Sequence, residues 1–207
     1  MLLWWTISFI ACDSNTVNEP TVFTKSYPNG QVAIQGLSLE DSPTGDWTEW
    51  YEDGTVKATY TFFDGLEHGE RTLWHANGQV SEQSHFKFGL QNGSVKQWYA
   101  NGNQSAETHF VKGVENGIRK TWYENGQLKS EAEVENGMQI GQRRFWHENG
   151  QLKADGSFAL DQLNGMEHKW DDTGTWIESH CYSMDTIKQS WMASKSDSQP
   201  SEDTPCP

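Results

Sequence analysis

Seven histidines are the residues of this chain best suited to metal or acid–base chemistry. His75 and His147 occupy equivalent places in a repeating pattern, and so do His85 and His109, all at multiples of 24 residues in one frame or another. Zinc needs several ligand nitrogens at about 2.0–2.1 Å. Equivalent positions in successive hairpins lie two strands apart, about 9.6 Å, so such columns do not converge on one ion. Other chemistry is missing too. There is no Gly-x-Ser-x-Gly elbow, no phosphate-binding loop ending in Lys-Ser/Thr, no His-Glu-x-x-His, no Cys-x-x-Cys and no EF-hand spacing. The sequence therefore implies a non-enzymatic protein without metal or cofactor. Its best binding candidates form a column: Tyr51, His75, Tyr99, Tyr123 and His147. Strand alternation puts this column on one face with Leu73, Phe145, Arg71, Arg119 and Arg143. Exposed aromatics beside arginine anchor protein interfaces; the competing reading is cross-strand packing within the sheet.

The elements that would position this column follow from the spacing. Gly30, Gly54, Gly78, Gly102, Gly126, Gly150 and Gly174 recur every 24 residues. Trp50, Trp74, Trp98, Trp122, Trp146 and Trp170 each stand four residues before one of them. A second series, Gly45, Gly69, Gly93, Gly117, Gly141 and Gly165, keeps the same period. Such a period marks a repeat architecture whose units bury their apolar faces only by stacking. After each turn apolar and polar residues alternate, as in Leu128, Ser130, Ala132 and Val134 with Lys129, Glu131 and Glu133 between them. That is a half-buried strand, and with the strand before the turn it makes a β-hairpin. A three-residue Glu124-Asn125-Gly126 loop, a type I turn with a G1 bulge, sets Trp122 opposite Leu128. This register is expected to put Trp122, Leu128, Ala132 and Val134 on one face. The tryptophan column then supplies most of the buried apolar area; the groove it lines reads as structural packing or as a site for an extended peptide or glycan.

The run Trp122-Tyr123-Glu124-Asn125-Gly126-Gln127-Leu128-Lys129-Ser130-Glu131, followed by Asn136-Gly137 and Gly141, resembles the MORN-variant repeat over roughly residues 26–182. The resemblance implies an all-β fold in which 24-residue hairpins form one elongated, twisted, single-layer antiparallel sheet. It also implies two functional settings, an envelope protein that binds partners or an antitoxin-like protein that neutralises a toxin by direct contact.

The ends read differently. Residues 1–11, MLLWWTISFIA, are apolar and uncharged and too short to span a bilayer as a helix, which needs about 20 residues. They read as a signal peptide, and Phe9-Ile10-Ala11-Cys12 resembles a bacterial lipobox that would make Cys12 the lipidated first residue of an envelope protein. Residues 12–25 then form a tether. Ser26-Tyr27-Pro28-Asn29-Gly30 begins a degenerate first repeat with an irregular link from Leu37 to Gly45. Met184, Ile187 and Trp191 fall at helical spacing over residues 183–193, which read as a capping helix or as the start of a disordered tail at 194–207. With Cys12 lipidated, Cys181 and Cys206 remain, either as a disulfide or as two free thiols. The net charge of −14 repels nucleic acid and anionic membranes, leaving a protein or envelope polymer as partner and the lipid anchor as the membrane contact.

Overall fold

The computed structural model describes residues 18–193 and 198–200. Seventeen strands form one antiparallel sheet. They are β1 (Thr21–Ser26), β2 (Val32–Leu39), β3 (Ser42–Trp50), β4 (Val56–Phe63), β5 (Leu66–Trp74), β6 (Val80–Lys87), β7 (Leu90–Gln91), β8 (Gly93–Trp98), β9 (Gln104–Val111), β10 (Val114–Glu115), β11 (Gly117–Trp122), β12 (Leu128–Glu135), β13 (Met138–Trp146), β14 (Leu152–Ala159), β15 (Gln162–Trp170), β16 (Trp176–Ser183) and β17 (Thr186–Met192). Each strand pairs with its neighbours in sequence, so the chain is a meander; β7 with β8, and β10 with β11, act as single strands interrupted at Asn92 and Asn116. The sheet is open, with β1 and β17 at its ends.

Two kinds of turn alternate. At the first kind, Gly126 N donates to Tyr123 O and Tyr123 N to Gln127 O, both at 2.9 Å. Gly126 has φ 85°. A side chain there would meet its own backbone, which is why glycine closes the type I turn and starts the bulge. Trp122 faces Leu128, as the alternation requires. At the second kind only two residues turn the chain, both left-handed: Asp64-Gly65, Phe88-Gly89, Lys112-Gly113 and Asn136-Gly137. These are type I′ turns, whose twist matches that of the strands they join.

Four expectations need correction. Beyond the G1 bulge the register shifts once more, between Thr121 and Trp122, so that Thr121 faces Ser130 and Arg119 faces Ala132. One added residue after every such turn moves Ala132 and Val134 to the arginine face, away from Trp122. The link from Leu37 to Gly45 follows the plan of the later ones: Glu40-Asp41 (φ 50° and 64°) is a two-residue turn joining β2 to β3, and the register shift between Gln35 and Leu37 recurs between Tyr60 and Phe62. Residues 21–25, placed in the tether, belong with Ser26 to a paired strand whose Phe23 ring lies 5.4 Å from the Trp47 ring. Finally, residues 183–192, expected to begin a capping helix, are turn and strand. Met184-Asp185 (φ 47° and 62°) repeats the turn of Leu160-Asp161 one period later and launches β17 against β16. Tertiary strand pairing overrides a three-residue helical coincidence here.

Burial is divided between the two faces of one layer. Ala58, Phe86, Val95, Ala132 and Val134 are buried on the arginine face, and Thr72, His168 and Ser179 on the tryptophan face. The tryptophans of the column are half-buried.

Candidate functional site

The column chosen from the sequence is brought together, but as a spine. Tyr51 Oη donates to Trp74 O (2.6 Å), Tyr99 Oη to Trp122 O (2.8 Å) and Tyr123 Oη to Trp146 O (2.8 Å). His75 Nε2 donates to Trp98 O (2.8 Å) and His147 Nε2 to Trp170 O (3.0 Å). Tyr27, one period earlier, joins the series through Trp50 O at 2.7 Å. Each bond links a hairpin to the next across 23 residues. Tyrosine and histidine both serve in the series because each carries a donor at the far end of a flat ring. These side chains are half-buried and engaged, so the column is not the exposed interface strip that residue type alone suggests.

A second ladder runs beside it. Asn101 Oδ1 accepts from Asn103 N (2.9 Å) while its Nδ2 donates to Glu124 O (2.9 Å). Asn77, Asn125 and Asn149 repeat this double role. At the opposite end of the strands the two-residue turns interlock too, with Gly89 N donating to Glu67 O and Gly113 N to Gln91 O, both at 2.8 Å.

The arginines expected beside the column are also occupied. Arg71 reaches Glu82 at 2.8 Å and Glu67 at 3.6 Å and lies 4.6 Å from the Phe86 ring centre. Arg143 stacks 4.2 Å from the Phe145 ring centre, and burial, with Arg119 nearby, lowers its pKa. Burial alone would raise the Glu82 carboxyl, but hydrogen bonds from Arg71, Gln97 and Ser84 outweigh it and hold the group below its ordinary value.

Two surfaces stand outside these ladders. On the tryptophan face one row of opposed residues alternates in sign: Lys96, Glu107, Lys120, Glu131, Arg144, Asp155. Lys120 and Glu131 approach to 3.1 Å and Lys96 and Glu107 to 3.7 Å. At the two-residue turns an apolar ridge is exposed: Phe63, Leu66, Phe88, Leu90, Val111 and Val114 are 45–59% accessible. Leu66, Leu90, Val114 and Met138 recur at the repeat period, which is the sequence signal that could have revealed the ridge.

Cys181 is fully buried and disulfide-bonded. Its partner lies outside the described residues, which include neither Cys12 nor Cys206, nor residues 1–11 where a signal peptide is expected. Among the described residues no group of three or more His, Cys, Asp or Glu is placed to hold a metal ion, and no helix is long and apolar enough to cross a membrane.

A family model described as the MORN repeat variant matches the chain four times, at residues 43–64, 67–88, 115–136 and 139–159. Each match begins within a few residues of a two-residue turn and ends near the next one, so the family unit is the hairpin built around the three-residue loop. No curated protein gives a significant match.

Proposed function

The chain belongs to the MORN-variant repeat family, and from its geometry we propose that it is a non-enzymatic binding scaffold, exported and lipid-anchored at Cys12, that holds an envelope protein against its turn ridge. The observation carrying this reading is the exposed apolar ridge of Phe63, Leu66, Phe88, Leu90, Val111 and Val114 on an internally bonded sheet. Contiguous apolar surface of this kind marks an interaction site more often than scattered exposed leucines do. A rigid edge loses little conformational freedom on docking, so contacts repeated along it add up in affinity.

Photo-crosslinking from the intact cell tests both halves. A crosslinker at Phe88 or Leu90 is expected to give one discrete protein adduct that a crosslinker at Ser94 does not, and Cys12→Ser is expected to abolish both acylation and the adduct. Equal adducts from all three positions would remove the ridge as the docking surface. A soluble, unacylated native product with an intact ridge adduct would remove the anchor and move the partner to the compartment of an antitoxin-like protein.

A further inference from the structure

The first two repeats depart from the rest on the arginine face, and the departure makes a cavity. Frame positions held later by Arg71, Val95 and Arg119 are held at this end by Phe23 and Trp47. The position of Tyr60 is taken later by Ser84, Thr108, Ala132 and Gly156. Rings thus replace charged or small side chains, and a groove of about 820 Å³ opens among Phe23, Trp47, Tyr60 and Phe62. That volume lies within the range of small-molecule sites, about 300–1,000 Å³.

The groove is built and fixed. The Trp47 indole lies flat on Gly36, where an added Cβ would fall 2.1 Å from the ring. Trp47 Nε1 donates to Leu37 O (3.0 Å) and Thr44 O (3.2 Å), which sets the ring orientation. Trp47 and Phe62 meet edge-on at 5.9 Å, as do Tyr60 and Phe62 at 5.6 Å.

Its charge selects the ligand. Asp41, Glu49 and Glu67 line it against Lys57 and Arg71. Lys57 is held by Glu49, and Arg71 is shared between Glu67 and Glu82, which leaves an excess of carboxylate. Tyr60 registers the same field: burial first, then its hydrogen bond to Glu49 and the charges of Glu49 and Glu67, push its phenol well above the ordinary value. Ring faces and carboxylates together favour a cation that keeps little water. A primary ammonium is strongly hydrated, whereas an ammonium wrapped in methyl groups meets the rings with apolar surface.

We infer that the Phe23–Trp47–Tyr60–Phe62 groove is a binding site for a trimethylammonium group. The group rests against the rings and is balanced by the excess negative charge that Asp41, Glu49 and Glu67 leave over Lys57 and Arg71. The same chemistry is presented by free choline and by the head group of a choline lipid, and the two are separable. The inference does not depend on the ridge or its partner.

The test is calorimetry on the full chain, carried out as the Cys12→Ser protein so that no acyl group contributes. Choline is expected to bind saturably and to be displaced by tetramethylammonium, while its neutral isostere 3,3-dimethyl-1-butanol does not bind. Phe23→Ala, on a half-exposed end strand, and Glu67→Gln are each expected to weaken choline by about 3- to 30-fold with unchanged circular dichroism, the range of a partly desolvated cation–π contact. His109→Ala, far along the sheet, is expected to leave binding unchanged. Additional binding to phosphatidylcholine vesicles, but not phosphatidylglycerol vesicles, assigns a lipid head group; binding of choline alone assigns a free solute. No saturable binding, equal binding of the neutral isostere, or full affinity in folded Phe23→Ala and Glu67→Gln would overturn the inference.

Discussion

The hydroxyl of Tyr99 and the amide of Asn101 show how single atoms hold one hairpin to the next. Each donates to a backbone carbonyl of the following turn, Trp122 O and Glu124 O respectively. Tyr99→Phe keeps the ring and removes one donor, so it is expected to cost about 0.5–1.5 kcal/mol, read from urea unfolding. Asp53 breaks the asparagine ladder. Its carboxylate accepts from Thr55 N (2.9 Å) and Thr55 Oγ1 (2.6 Å), which lowers its pKa, but it has no hydrogen to donate onward. Asp53→Asn restores the donor and is expected to raise the unfolding midpoint where Asn101→Asp lowers it. Glu82 supplies the pH dependence. Its folded pKa lies below the ordinary 4.5, so the stability it contributes is present above that value and is lost as pH falls through the folded pKa. Glu82→Gln is expected to be less stable than the parent at neutral pH, with the difference closing in acid; a gap that widens in acid would contradict this assignment.

At the scale of the hairpin, sequence and structure agree unevenly, and particular residues show why. The Glu124-Asn125-Gly126 loop was legible because its glycine must be left-handed and its flanking apolar residues must meet. The additional register shift was not, because the extra residue is Lys57 in one unit, Ser81 in the next and Lys129 in another, and none of these types marks a bulge. The donor spine was hidden for a related reason: Tyr51 and His75 differ as letters and coincide only in the ring-borne donor each presents to a carbonyl 23 residues on. The aromatic groove was likewise invisible to motif search, since it arises from residues that no repeat motif prescribes, whereas the ridge carried a periodic signal in Leu66, Leu90, Val114 and Met138. The last hairpin escaped notice because Met184-Asp185 turns without the glycine that marks four of its predecessors. Asp161 and Asp185 compensate for that missing glycine. Asp161 Oδ1 accepts from Gln139 N (2.7 Å) and Asp185 Oδ1 from Leu163 N (2.8 Å). Leu160, with φ 51° and its side chain exposed, has no such return. Leu160→Asn, which tolerates the left-handed conformation, is expected to stabilise the protein by about 1 kcal/mol, visible as a higher urea midpoint at unchanged slope.

For the whole molecule the repeat length is a physical constraint rather than a habit of sequence. The tyrosine–histidine spine spans 23 residues and the interlocked two-residue turns span 22, and both close only if every unit advances the chain by the same amount. The charged row makes the same demand. Each of the three units that carry the row adds one cation and one anion, so removal of residues 97–120 deletes Glu107 and Lys120 and brings Lys96 opposite Glu131, keeping the alternation. It also passes the His75 bond from Trp98 O to the equivalent Trp122 O. Removal of residues 97–119 leaves one residue too many in mid-strand. Everything beyond it must either flip to the wrong face or bulge, which sets Lys and Glu among the buried Ala132 and Val134. The 24-residue deletion is therefore expected to fold into a shorter sheet with a lower melting temperature and a single transition, because neighbour contacts carry the stability. The 23-residue deletion, though it keeps one more native residue, is expected to lose several times as much stability or to fail to fold. Circular dichroism melts of the two proteins decide it: equal stability would mean that the ladders do not set the period, and that the sheet is held by each hairpin on its own.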